Sequence, residues 1–141
     1  MLTKNIKYTD FDGVEREEPF RFNLTEAELA EMELSTDGGL EKTIKSIVAA
    51  QDTPKIVKIF KELILKAYGE KSVDGKRFMK KDENGRPLAD KFAETEAYSV
   101  LFMELATDAD AAAAFINGII PTKLSEQVKN AQNANHPALN G

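Results

Sequence analysis

The sequence predicts an α+β fold that is mainly α, with an N-terminal β-hairpin, a bundle of five to six helices and a disordered C-terminal tail. Three features favour this fold class. Apolar and polar residues alternate through residues 3–24, whereas apolar residues recur at helical spacing through residues 25–121. Residues 122–141 are mostly polar, and beyond one short helix we expect them to be flexible. We therefore predict a single globular domain over residues 1–121.

The hairpin has a register that follows from its apolar positions. These are even-numbered in both strands: Ile6, Tyr8, Phe20 and Phe22. Opposed residues of antiparallel strands share a face, so even positions must pair with even positions. A three-residue loop of Phe11, Asp12 and Gly13 satisfies this rule, with the glycine in the left-handed conformation that such a loop requires. Pro19 lacks an amide donor, so its strand is predicted to be partly an edge.

Three helical segments follow the hairpin. The first begins at Thr25, which forms a capping box with Glu28. The second covers about residues 40–51, where apolar residues form one stripe. The third covers residues 53–68, with a wide apolar face typical of a central helix, and Gly69 is predicted to end it.

Residues 69–87 are the least regular internal part of the sequence, GEKSVDGKRFMKKDENGRP. We interpret them mainly as a solvated, mobile loop. A small hairpin that turns at Asp74 and Gly75 is also compatible with the pattern. A docking site for an acidic partner is the alternative to a plain loop, and it depends on a basic cluster: Lys76, Arg77, Lys80 and Lys81.

Residues 92–121 predict two successive helices. The inward face of the first consists of Ala97, Tyr98, Leu101, Phe102 and Leu105. Thr107 is predicted to cap the second helix, with Asp110 as its partner in a capping box. Pro121 ends this helix. The alanine run at residues 111–114 leaves a small profile, so another backbone can approach closely.

The composition excludes several kinds of function. The net charge of −5 argues against general binding to nucleic-acid phosphates, and the absence of cysteine excludes thiolate zinc sites and a cysteine nucleophile. The single histidine, His136, lies in the predicted tail and cannot form a metal cluster alone. No signal peptide is recognisable, and no apolar run approaches the roughly 20 residues that span a bilayer. We expect an intracellular, soluble protein without nucleic-acid or membrane partners.

The carboxylates show no pattern of a catalytic or metal site. Residues 10–13 and 82–85 each resemble part of a calcium loop, but neither has the spaced ligands and final glutamate that an EF-hand needs. We interpret both as turns. Glu94 and Glu96 are two positions apart on a helix, so they point to different faces. We expect no cofactor, no metal and no catalytic residue, and keep a small metal-dependent enzyme as an alternative.

Two of the predicted helices carry more apolar residues than one face usually buries. Such an excess indicates oligomerisation or a partner helix, and ordinary burial in the core is the alternative. The residues that we predict to bind a partner are Phe60, Leu63, Phe102, Phe115, Ile116 and Ile119.

Three segments together resemble the tail assembly chaperones of long-tailed bacteriophages, especially those of Gram-positive hosts. They are IKYTDFDGVEREEPFRFNLTEAELAEMELS, FKELILKAYGEKSVDGKRFMK and FAETEAYSVLFMELATDADAAAAFINGIIP, and they span roughly residues 4–121. The resemblance implies a non-enzymatic protein that coats the tape measure protein in the host cytoplasm until the tail tube polymerises around it. It also implies absence from the mature virion.

The same resemblance names further candidate partners. These are the tail tube protein, a longer form of the chain produced by a programmed frameshift, and further copies of the chain itself. A structural neck or tail completion protein of the virion is the alternative function.

Overall fold

A computed structural model describes residues 1–35 and 53–121 of the chain. Its elements are β1 (Leu2–Thr9), β2 (Glu15–Phe22), α1 (Glu26–Ser35), α2 (Thr53–Ala67), β3 (Tyr68–Lys71), β4 (Phe78–Met79), α3 (Leu88–Ala93), α4 (Glu96–Thr107) and α5 (Ala109–Ile119). The α+β class is confirmed, with five helices in this part of the chain. The predicted helix at residues 40–51 and the predicted tail at 122–141, including His136, lie outside the described residues.

The sheet contains four antiparallel strands in the order β1-β2-β3-β4, so the prediction of a hairpin alone was incomplete. Its first hairpin pairs even positions with even positions, from Leu2 opposite Phe22 onward. The Asp10 N–H donates to the carbonyl of Val14 at 2.9 Å, and Gly13 has a φ of 80°. The predicted three-residue loop is therefore confirmed.

Strand β2 is an edge over most of its length. It pairs with β3 only through Arg21 and Phe22, so Pro19 has a strand partner on one side alone, at Asn5. Hydrogen-bonded and non-hydrogen-bonded pairs alternate along an antiparallel ladder. Since Asp10 and Val14 are hydrogen-bonded, the Asn5–Pro19 pair is of the other type, and a proline nitrogen there breaks no bond to β1. The predicted partial edge is confirmed.

Residues 69–87 form a second hairpin and a following turn, so the small hairpin that turns at Asp74 and Gly75 is confirmed and the interpretation as a loop was wrong. Glu70 lies opposite Met79 in the β3–β4 pair, and Lys81 forms a bridge with Pro87. Two carboxylates fix the turns between these segments. Asp74 accepts hydrogen bonds from Ser72 Oγ and the Lys76 N–H, and Asp82 accepts from the N–H groups of residues 84 and 86.

Gly69 does not end α2 as a helix cap, which corrects the sequence prediction. The chain passes directly from Ala67 into β3, and Gly69 pairs there with Arg21. The glycine is needed because the neighbouring strand lies very close. A Cβ at this position would be 2.6 Å from Phe78 Cε2 and 2.7 Å from the Met79 carbonyl oxygen.

The capping predictions have mixed outcomes. The box at the start of α1 is confirmed: Thr25 Oγ1 accepts from the Glu28 N–H at 3.1 Å, and the Glu28 carboxylate accepts from the Thr25 N–H at 3.0 Å. The predicted Thr107 cap was wrong. Thr107 belongs to α4, where its hydroxyl donates to the Met103 carbonyl, and the extended residue Asp108 caps α5 instead.

One cluster of buried residues runs through both ends of the described fold. It includes Ile6, Phe22 and Leu24 from the first hairpin and Ile116, Ile119 and Ile120 from the last helix and its end. The Leu24 N–H donates to the Ile119 carbonyl at 2.7 Å. The helices therefore cover the even-numbered face of the sheet, and they pack on one another as well.

Candidate partner-binding surface

The structure places most of the predicted binding residues in the core. Five of the six are buried, with relative exposures of at most 6%: Phe60, Leu63, Phe115, Ile116 and Ile119. Phe102 is partly buried and lies against the Tyr98 ring, with centroids 6.0 Å apart. Burial in the core accounts for the apolar excess of α5 and for part of that of α2, where Val57 remains 38% exposed. Partner binding by these six residues stays a prediction, and Phe102 is the one that retains accessible surface.

A network of aromatic rings explains why the interior takes up so many large residues. Phe92 lies at its centre, within 4.3–5.8 Å of the rings of Phe20, Phe22, Tyr68 and Tyr98. These rings belong to both hairpins and to helices α3 and α4, so they join the sheet to its helical layer. Burial in this network raises the pKa of the Tyr68 and Tyr98 hydroxyls.

Lys80 forms a polar junction between three elements. Its ammonium donates to the Asn23 carbonyl at 2.8 Å and to the Lys66 carbonyl in the last turn of α2, and it lies 3.3 Å from the Glu28 carboxylate. Its side chain is only 27% exposed. Loss of hydration lowers the pKa of Lys80, an effect that Glu28 partly opposes. Lys80 therefore has a structural role and is not available as a docking residue for an acidic partner.

A shallow, open groove with three lysines runs along the exposed side of α2. Lys58, Lys61, Glu62 and Leu65 recur at helical spacing and line it with Lys66. Leu65 and Lys66 also line a neighbouring cleft of about 260 Å³, whose wall includes the partly buried Tyr68. The lysine stems and Leu65 supply apolar surface, and the ammonium groups supply positive charge around it.

The tip of the first hairpin projects apolar residues from a fixed loop. Phe11 is 78% exposed and Val14 is 50% exposed. Asp10 holds the loop, because one carboxylate oxygen accepts the N–H groups of Asp12 and Val14 and the other lies 2.6 Å from Arg16 Nε. The hydrogen bond from Arg16 lowers the pKa of Asp10. The loop is therefore held by its own hydrogen bonds, and the Phe11 side chain remains exposed.

Helix α4 carries a second exposed apolar patch. Val100 and Met103 are 41% and 54% exposed and lie three positions apart, so they are neighbours on one face. The buried stripe of the same helix consists of Ala97, Leu101 and Leu105. Helix α4 therefore has one face in the core and an apolar strip toward the outside, which suits contact with a partner helix.

Charge is segregated along the chain. Residues 53–91 contain eleven Lys or Arg and six Asp or Glu, a net of +5, whereas residues 92–121 contain five acidic residues and no basic one. Residues 1–35 hold four basic and nine acidic residues, a net of −5. Within the described residues, the groove along α2 thus lies in the basic part of the chain, whereas the tip of the first hairpin, α1 and the last two helices are acidic.

Neither calcium-like segment forms a metal site in the described chain. The carboxylates of Asp10 and Asp82 each accept backbone N–H groups of their own turns, so the interpretation of both segments as turns is confirmed. Within residues 1–35 and 53–121, no group of three or more His, Cys, Asp or Glu side chains is arranged to hold a metal ion. Among the described helices, none has the length and apolar character needed to cross a membrane.

Sequence reasoning missed the exposed apolar residues, because it placed Phe11 in a turn loop and gave Val100 and Met103 no role. The exposure of Phe11 could have been predicted, since a turn loop of three residues needs no aromatic side chain for its own geometry. The exposure of Val100 and Met103 could also have been predicted, because they fall outside the stripe formed by Ala97, Leu101 and Leu105. These surface residues are the ones that a partner can reach without opening the core.

The fold and its surface define a small α+β protein whose accessible features are apolar strips and charged grooves, a class suited to binding other proteins. The chain belongs to the phage tail assembly chaperone family, because the family model of that description matches residues 1–139. Searches of the curated proteins and of the solved structures gave no significant match.

Proposed function

We propose that this tail assembly chaperone binds the tape measure protein and keeps it soluble until the tail tube polymerises around it. The observation that carries the proposal is the family match over nearly the whole chain. A chaperone of this kind acts without catalysis, in the host cytoplasm, and leaves before the virion is complete. Its further partners are the tail tube protein, a longer frameshifted form of the chain, and other copies of itself.

The apolar strip of α4 is the surface that we assign to the tape measure protein. Val100 and Met103 are exposed there. Phe102, one and two positions away from them on the helix, faces another direction and is not part of this strip. An amphipathic partner helix presents apolar residues at helical spacing, which this strip can bury. Phe115 and Ile119 are unsuitable for the test, because a polar group at such buried positions would destabilise the core.

The test is co-expression of this chain with a tape measure protein. We expect the soluble fraction of the tape measure protein to rise several-fold with the wild-type chain and to fall with Val100→Asp or Met103→Asp. Val73→Asp is the matched control, since Val73 is fully exposed at the tip of the second hairpin. Circular dichroism checks that all variants remain folded.

Two results would contradict the proposal at different levels. If the wild-type chain leaves tape measure solubility unchanged, the proposed function is wrong. If only the α4 variants behave like wild type, the function stands and the assignment of the surface is wrong. Detection of the chain at stoichiometric levels in purified virions would favour a structural neck or tail completion protein.

A further inference from the structure

The first hairpin ends in a feature that the core does not need. Phe11 is the most exposed phenylalanine or tyrosine among the described residues, and the loop under it is held by bonds from Asp10. A fixed loop loses little conformational freedom when it binds, so an aromatic side chain on it is a suitable anchor. Residues 10–18 carry five carboxylates and one arginine, so the anchor has an acidic surround.

The groove along α2 complements this tip in charge. Lys58 and Lys61 are exposed along it, and the half-buried Leu65 adds apolar surface. The adjoining cleft of about 260 Å³ is large enough for an aromatic ring, since an apolar cavity of about 150 Å³ accepts benzene. The groove and the tip lie on different elements, and together they provide one acidic anchor and one basic acceptor per chain.

We propose that the hairpin tip of one copy docks into the α2 groove of a second copy, with the Phe11 ring against Leu65. Exposed acidic residues of the tip, Asp12 and Glu15, then lie near Lys58 and Lys61. The inference rests on the self-association included in the proposed function and names its surfaces. Because tip and groove are different patches, the contact is head-to-tail and each bound copy leaves one tip and one groove unoccupied.

The expected strength of this contact is modest. A single loop buries less than the approximately 1,200 Å² at the lower end of stable interfaces, so association should be weak and concentration-dependent. Exposed charges flank the contact, so salt should weaken it further. The screening length falls from about 10 Å at 0.1 M salt to about 3 Å at 1 M.

Complementary variants test the head-to-tail arrangement. Phe11→Asp disables the tip, and Lys58→Glu with Lys61→Glu disables the groove; all three positions are exposed, so the fold is retained. In sedimentation at low salt, wild type should form species that grow with concentration, and each variant alone should stay monomeric. An equal mixture of the two variants should form a dimer and nothing larger, because one intact tip and one intact groove remain. Val73→Asp should associate like wild type.

Cross-linking supplies a second measurement, since the chain has no cysteine of its own. Asp12→Cys keeps the Phe11 ring, and the Lys61→Cys thiol is activated beforehand with thionitrobenzoate, which leaves when the disulfide forms. Asp12→Cys copies should form a mixed disulfide with these activated copies several-fold faster than Val73→Cys copies do. Val73 is fully exposed, so its rate measures random collision.

The inference is overturned if wild type stays monomeric, if Phe11→Asp associates normally, or if both cysteine mixtures react equally fast. The tape measure solubility assay separates it from the proposed function. The Phe11→Asp variant does not support the inference if it self-associates normally but no longer solubilises the tape measure protein. That result would show that the tip binds the tape measure protein and does not bind a second copy of the chain. Loss of self-association with tape measure binding intact supports the inference.

Discussion

At the scale of single residues, Asp108 determines where α5 begins. Its carboxylate accepts the N–H groups of Asp110 and Ala111 at 3.0 and 3.1 Å, whereas the Thr107 hydroxyl bonds back into α4. Asp108→Ala should lower the free energy of unfolding by about 0.5–2 kcal/mol, the usual cost of losing an N-cap. Thr107→Ala is the matched control and should change it by less than about 0.5 kcal/mol. Urea denaturation followed by circular dichroism measures both changes. A larger loss of stability from Thr107→Ala than from Asp108→Ala would identify Thr107 as the cap instead.

Lys80 is the residue on which three elements depend. Lys80→Met keeps the aliphatic stem but leaves the carbonyls of Asn23 and Lys66 without their donor. Unsatisfied, partly buried carbonyls cost about 1–3 kcal/mol, so we expect a loss of that order in thermal or urea unfolding. Lys76→Met, in the exposed turn of the same hairpin, should be close to neutral. Equal effects from the two substitutions would show that the Lys80 junction contributes nothing specific.

Asp10 gives the first hairpin an acid-sensitive contact. The Arg16 hydrogen bond lowers the folded-state pKa of Asp10 below its unfolded value of 3.8. The stabilisation is therefore complete above pH 3.8 and is lost as the pH falls through the lower, folded-state pKa. Asp10→Asn retains an oxygen for the turn but loses the ion pair with Arg16. The stability difference between wild type and variant should shrink as the pH falls below 3.8, and a constant difference in acid unfolding would contradict this.

At the scale of elements, Gly69 allows β3 and β4 to approach closely. Gly69→Ala places a methyl group 2.7 Å from the Met79 carbonyl oxygen, so the strands must separate, at a cost of about 1–3 kcal/mol. Gly118→Ala is a useful comparison within α5. Its Cβ would meet the flexible end of Leu2 at 3.0 Å, and alanine gains about 1 kcal/mol of helix propensity. Thermal unfolding should rank Gly69→Ala clearly below Gly118→Ala, and equal values would mean that the β3–β4 contact can relax.

The two hairpins differ in how far the sequence determines them. In the first, eight-residue strands repeat the alternation, and Gly13 selects the loop, so the register follows from local rules. In the second, β4 has only two residues, and the stability comes from Lys80 and from ring contacts with distant helices. Such contacts are tertiary, so the sequence of residues 69–87 alone indicated a loop. The role of Gly69 was ambiguous in the sequence, since a helix end and a close contact between strands both favour glycine.

At the scale of the whole molecule, the candidate surface was harder to predict than the fold. The large apolar residues of α5 and several of those of α2 lie in a shared core in which Phe22 contacts Phe92 and Phe115. Apolar periodicity identifies a buried stripe but does not reveal how many other elements will cover the helix. Accessible positions such as Phe11 and Met103 became evident only after that core was defined.

The hydrogen bond from Leu24 to Ile119 has a consequence for synthesis on the ribosome. The hairpin is made first, and its strands can pair within about 1–10 μs of emerging. Its inner face, with Ile6 and Phe22, is fully covered only after synthesis of the last helix, which ends at Ile119, almost a hundred residues later. At about 5–20 residues per second, this apolar face stays uncovered for roughly 5–20 s of translation. During that interval the chain is itself prone to aggregation, before its own fold is complete.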